Sequence, residues 1–148
     1  KERFKMAKIS LVYWSGTGNT QAMADYVVEG VKSAGAEVDV FEVTEANADD
    51  VLKSDVILLG CPSMGSEVLE EESMEPFMEE IEGGLSGKKV GLFGSYGWGD
   101  GQWMRDWQER VEGAGASMIC DGIIANGEPS DDSVIDELKS MGSNAALA

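Results

Sequence analysis

Residues 8–36 read KISLVYWSGTGNTQAMADYVVEGVKSAGA, and the two ends of that stretch obey different periods. KISLVYW (8–14) is apolar at nearly every position, the pattern of a strand covered on both faces. From Thr20 onward Met23, Ala24, Val27, Val28, Val31 and Ala34 fall at helical spacing, and Gly35 suits a helix C-terminus. Between them lies SGTGNT (15–20), which carries glycines, hydroxyls and an asparagine but no charge. A strand passing through such a loop into a helix makes a βα unit. The start of that helix offers unpaired N–H groups and about half a positive charge to an anion.

The same alternation runs outward along the chain. AEVDVFEV (36–43) alternates as a strand near an edge does, and DVILLGC (55–61) is a second buried strand. Met74, Phe77, Met78, Ile81 and Leu85 mark an amphipathic helix, and KKVGLFGSY (88–96) is the fourth strand. Trp103, Met104, Trp107 and Val111 line another helix, SMICDGIIA (117–125) is the fifth strand, and Val134, Ile135, Leu138 and Met141 line the last helix. Strands alternating with helices across short connections predict an α/β fold. The expected form is a doubly wound, five-stranded parallel sheet of order 2-1-3-4-5, with helices on both faces. Its ligand site then lies outside the carboxyl ends of strands 1, 3 and 4, where the strand order switches. The 148 residues suit one domain over 8–148, and residues 1–7, basic and without the apolar stretch of a secretory signal, read as an N-terminal extension.

Composition narrows the chemistry. The chain has no histidine, which excludes serine or cysteine catalysis with an imidazole base and histidine-containing metal sites. With 28 acidic against 11 basic residues and a net charge of −17, nucleic acid and anionic membranes are poor partners. No apolar run approaches the ~20 residues of a membrane span. Cys61 and Cys120 stand far apart and read as reduced thiols of a cytoplasmic protein. A chain so short of catalytic side chains either borrows its chemistry from a cofactor or does none.

The loops after strands 1, 3 and 4 show which. SGTGNT lacks the lysine of a nucleotide-triphosphate loop, and it is not the G-x-G-x-x-G that works with an acidic residue on the second strand to grip a ribose. Its neutral donors suit a terminal phosphate monoester; an ordinary polar turn with a capping threonine is the plainer alternative. CPSMGSEVLEEE (61–72) follows strand 3 and carries Met64, whose thioether makes a favourable face for an aromatic ring. GSYGWGDG (94–101) closes strand 4 and sets Trp98 between glycines, where it needs a flat surface to lie over. Trp103 and Trp107, at i and i+4, read as core, and Trp14 as packing.

SGTGNT, PSMGSE (62–67) and GSYGWGDG, in that order, resemble the three flavin-mononucleotide loops of the flavodoxin family, in its short-chain branch. That resemblance implies a low-potential one-electron carrier with non-covalently bound FMN. It assigns the phosphate to Ser15, Gly16, Thr17, Gly18, Asn19 and Thr20, and the two faces of the isoalloxazine to Met64 and Trp98. Gly65, in the loop with Pro62, Ser63 and Ser66, would turn its carbonyl to flavin N5, and Glu67 would accept from N3. Backbone around Ser95, Tyr96, Gly97 and Gly99 would meet the ribityl chain and pyrimidine edge. Two residues depart from the pattern: a methionine replaces the usual inner aromatic, and Pro62 removes an N–H. Glu67, Glu70, Glu71, Glu72 and Asp100 would surround the flavin, disfavouring its second electron because the fully reduced ring is an anion.

The expected partners are reductase-type donor and acceptor proteins with basic docking patches, met by a monomer. An FMN-dependent quinone reductase of the same fold is the alternative reading. A phosphoacceptor receiver domain has the same topology but needs aspartates where this chain has Trp14 and Cys61. A purely structural adaptor would leave the aromatic loops without a role.

Overall fold

The computed structural model describes residues 7–148, so the expected extension 1–7 lies, apart from Ala7, outside the described residues. Its strands are β1 (Ile9–Tyr13), β2 (Asp39–Glu42), β3 (Val56–Gly60), β4 (Lys89–Tyr96), β5 (Ser117–Met118) and β6 (Ile123–Asn126). Its helices are α1 (Asn19–Ser33), α2 (Ala48–Val51), α3 (Met74–Ile81), α4 (Gln102–Gly113) and α5 (Asp132–Leu147). Every pairing between these strands is parallel, in the order β2-β1-β3-β4, with β5 and then β6 end to end along the far edge of β4. This is the doubly wound sheet expected from the alternation of periods.

One difference concerns the fifth strand. The apolar run 117–125 is cut at Ile119–Gly122 into β5 and β6. The Gly122 N–H donates to the Gln108 side-chain oxygen at 2.9 Å, and Gln108 donates in turn to Asp121 at 3.3 Å. A side chain from α4 thus takes a backbone group that an unbroken ladder would have used.

The sheet separates two apolar layers. Ile9, Leu11, Val56 and Leu58 face α1 and α5, whereas Val12, Ile57 and Leu59 face α3 and α4. Period-2 alternation in strands buried on both sides produces this division. Trp103 and Trp107 are each 1% exposed inside the second layer, as their spacing predicts. Trp107 donates its indole N–H to the Met78 sulfur at 3.4 Å, and Trp103 donates to the Cys61 carbonyl at 3.1 Å. The α1 and α5 helices cross so closely that a Cβ on Gly30 would fall 2.0 Å from the Lys139 carbonyl oxygen. A Cβ on Gly142 would likewise fall 2.0 Å from the Val27 carbonyl oxygen. Among the described residues, no helix is long and apolar enough to cross a membrane.

On the opposite layer Arg110 of α4 clasps both ends of α3. It donates to Glu75 at 2.8 and 2.7 Å and to Glu82 at 3.0 and 2.9 Å. The Arg110 hydrogen bonds hold the Glu82 carboxyl below its ordinary value of 4.5. A depressed folded pKa adds stability above that ordinary value and loses it as pH falls through the folded pKa. Arg110→Met is therefore expected to destabilise the protein at neutral pH and to flatten the fall in stability below about pH 4.5. Denaturant titrations at several acidic pH values check this. A variant whose acid dependence matches the parent's would remove Glu82 from the account.

Candidate functional site

The strand order reverses between β1 and β3, and there a cavity of about 300 Å³ opens outside the carboxyl ends of the sheet. Larger hollows, of about 430 and 500 Å³, flank the Ile119–Gly122 break, away from these strand ends. Position and lining chemistry select the smaller one. Ligand clefts start near ~300 Å³ and place a few polar groups among apolar walls.

One wall is the SGTGNT loop. Gly18, with φ 96°, stands at the N-cap of α1 without a side-chain cap, and the first turn of the helix carries no acidic residue. Ser15 Oγ accepts from the N–H groups of Gly18 at 3.1 Å and Gln21 at 3.3 Å. The first-turn N–H groups of Asn19 and Thr20 have no partner within the helix, and both residues line the cavity. Thr20 is 1% exposed, and its hydroxyl shares a 3.1 Å hydrogen bond with that of Ser95 at the end of β4. The loop is thus tied to the far wall by two uncharged groups. A neutral donor set at a helix N-terminus fits an anion held permanently, without a lysine or metal to neutralise charge during a reaction.

The other walls are Pro62, Ser63 and Met64 after β3, then Ser95, Tyr96 and Gly97 at the end of β4. Ser63 N–H donates to the Ser95 carbonyl at 2.9 Å, which fixes the two loops against each other. Met64 and Val68 exchange backbone hydrogen bonds at 2.9 and 3.1 Å, so Gly65, Ser66 and Glu67 form the tip of a small hairpin. Gly65 has φ 35° and Glu67, unusually for a residue with a Cβ, φ 56°. Apolar and aromatic walls beside a polar cradle fit a flat heteroaromatic ring carrying a phosphate tail, and FMN has that form.

The cavity gathers Ser15, Gly16, Thr17, Asn19, Thr20, Pro62, Ser63, Met64, Ser95, Tyr96 and Gly97 from the sequence expectations. Gly18, Gly65, Ser66, Glu67, Trp98 and Gly99 stand outside its lining. Glu67 accepts from the Gln102 N–H at the start of α4 at 2.9 Å, and a Cβ on Gly99 would fall 2.6 Å from its carboxyl carbon. Trp98 is 64% exposed.

Two lining residues escaped the sequence reading, Trp14 and Gly127. Trp14 was expected only to pack; it does touch the core, but it also forms cavity wall, and a Cβ on Gly16 would fall 2.9 Å from its ring. Glycine at 16 is what lets the loop lie against that indole. Gly127 follows β6 with φ 72° and donates to the Tyr96 carbonyl at 2.9 Å. The NGEP turn that contains it was the available signal.

Known proteins share this arrangement. The flavodoxin family model matches residues 11–140. The flavodoxin of Megasphaera elsdenii is 51% identical over 140 residues, covering 95% of this chain and 99% of its own. The flavodoxin of Clostridium beijerinckii is 50% identical over 121 residues, 82% of this chain and 88% of its own. The solution structure of two-electron reduced Megasphaera elsdenii flavodoxin superposes with a TM-score of 0.87, covering 95% of this chain and 99% of that one.

Proposed function

This chain belongs to the flavodoxin family, and from that premise we infer that it is a low-potential one-electron carrier holding FMN non-covalently and serving redox partner proteins. The observation that carries the reading is the neutral cradle at the α1 N-terminus, joined through Thr20 and Ser95 to an apolar slot. FMN supplies the redox chemistry, one electron at a time. The protein's part is to bind the cofactor, exclude water and set the energy of each step through its loops.

On this reading the N–H groups and side chains of residues 15–20 hold the phosphate, and Met64 and Trp98 cover the ring's two faces. Gly65 would present its carbonyl to the flavin N5 position, with Ser66 and Pro62 shaping that turn, and Glu67 would present its carboxylate to N3. Gly99 and its neighbours border the pyrimidine edge. Acids around the exposed edge favour partners with basic patches. The chain is read as a cytoplasmic monomer, in which Cys61 and Cys120 stay reduced. The test is a titration of apoprotein with FMN, then an assay for NADH oxidation with quinone present and no partner protein. One FMN bound without turnover supports the carrier, and steady turnover supports a quinone reductase.

Two variants probe the assignments. Trp98→Ala is expected to weaken FMN binding by about 1–3 kcal/mol, since so exposed an indole gains its burial only from the ligand. Fluorescence titration measures it, and unchanged affinity would move Trp98 out of the site.

Gly65→Thr addresses the hairpin tip. No atom lies within 4 Å of a Cβ placed there, so only the backbone resists, at φ 35°. On this reading the positive φ belongs to the turn that aims the carbonyl at a protonated N5, so a β-branched residue costs that state ~1–2 kcal/mol, close to the ~0.5–1.5 kcal/mol of the hydrogen bond at stake. For one electron ~1.4 kcal/mol is about 59 mV. The first reduction potential should drop by some tens of millivolts while oxidised FMN binds almost as before. A redox titration that finds this potential unmoved would dismiss the role given to Gly65.

A further inference from the structure

The hairpin that carries Gly65 is fastened at its second foot by one buried acid. Glu70 is 6% exposed, whereas Glu71 and Glu72 beside it face solvent. Its Oε1 accepts from the N–H groups of Ser73 and Met74, both at 2.8 Å, and its Oε2 from Glu72 at 3.0 Å. Its own N–H donates to the Cys61 sulfur at 3.4 Å, and its carbonyl accepts from Glu75 at 2.9 Å. Ser73, the N-cap of α3, makes no side-chain cap. The carboxylate therefore caps α3 from three residues upstream, where it also meets the positive end of the helix. Cys61, at the other foot of the hairpin, donates its N–H to Phe93 on β4 at 3.1 Å. Both feet of the 62–69 segment are thereby fastened, one to the sheet and one to the helix.

We propose that Glu70 is a positioning residue for the flavin's first electron, holding the Gly65–Glu67 tip where its carbonyl can meet a protonated N5. The proposal rests on the carrier reading above. Oxidised flavin needs no carbonyl at N5, so a loosened hairpin leaves its binding nearly intact. Only the reduced flavin uses the tip in one fixed place, and a protein group shifts an equilibrium only through such differential contacts. The sign separates this role from plain electrostatics. Neutralising an acid near the flavin makes reduction easier, whereas releasing the hairpin makes the first electron harder to accept.

The experiment compares Glu70→Gln with Glu71→Gln in the FMN-loaded protein by redox titration. Glu70→Gln is expected to lower the equilibrium constant of the first electron about tenfold, or about 59 mV. Glu71→Gln is expected to leave that constant unchanged or to raise it. Oxidised FMN affinity should stay within threefold in both. A first couple that is unmoved or raised in Glu70→Gln overturns the proposal. Should Glu70→Gln fail to fold, amide hydrogen exchange in the unaltered apoprotein decides. The amides of Glu72, Ser73 and Met74 are expected to exchange at least a hundredfold more slowly than those of Gly65 and Ser66. Equal rates overturn the anchor. Because that measurement needs no FMN, failure of the carrier reading would show separately, as absence of flavin binding.

Discussion

Riboflavin, which lacks the phosphate, is expected to bind the apoprotein on the order of a thousandfold more weakly than FMN, a difference of about 4 kcal/mol. The estimate starts from the cradle. Asn19 and Thr20 present first-turn N–H groups, and Thr17 and Ser15 line the same wall. A hydrogen bond to a charged acceptor contributes about 1.5–3 kcal/mol, so two or three surviving contacts reach this figure after the phosphate's own desolvation is set against them. The net charge of −17 opposes a dianion, but at physiological salt the Debye length is only ~8 Å. Short contacts within the loop therefore outweigh the distant acids. Raising the salt should widen the gap between the two ligands, by screening a repulsion that only FMN feels. Calorimetry or fluorescence quenching measures both affinities. Equal binding of riboflavin and FMN would strip SGTGNT of its role.

Gly30→Val is expected to be the most damaging substitution in the scaffold, at about 3 kcal/mol or more. Valine, even alanine, is a better helix former than glycine, by up to about 1 kcal/mol for alanine, so propensity alone points the other way. The added Cβ, however, would meet the Lys139 carbonyl oxygen at 2.0 Å, and a helix backbone cannot swing aside as a side chain can. Overpacking of this kind costs ~1–3 kcal/mol and occasionally more. Here it also pries α5 from α1, loosening the 3.2 Å bond from the Ser143 hydroxyl to the Gly30 carbonyl. Gly113→Ala, at the end of α4 with open space around its Cβ, supplies the contrast and should be neutral or slightly stabilising. Thermal unfolding of both variants tests the pair. A Gly30→Val protein that melts with its parent would show that the two helices can separate freely.

How far these features were legible depended on the distance over which each is decided. Buried parallel strands announce themselves locally, because both faces must be apolar, and helices by their period; the sheet order then follows from handedness and short connections. Glycines between regular elements marked the three loops that border the cavity, although Trp98 and Gly65 stand outside its lining. The break at Ile119–Gly122 was not, since Gln108, on α4, makes it across the fold. Trp14 likewise reads as the tail of a strand; only the close approach of Gly16 turns its indole into a cavity wall. Glu70 read only as one of five acids around the flavin, and nothing local in EVLEEE separates it from Glu71. The short α2 helix was a missed signal of another kind. Asn47 caps it by accepting from the Asp50 N–H at 3.0 Å, and the NADD pattern was there to be read.

The cavity draws its walls from residue 14 to residue 127, so no fragment of the chain retains it once the sheet comes apart. Binding of FMN must then protect the chain as a whole. At a free concentration one hundred times its dissociation constant, a ligand adds about 2.7 kcal/mol to folding and cuts the unfolded population about a hundredfold. That population is what a protease can attack. The supply of FMN in the cell would therefore govern how long each copy survives as well as whether it carries electrons, and chains made in excess of their cofactor would be the first cleared.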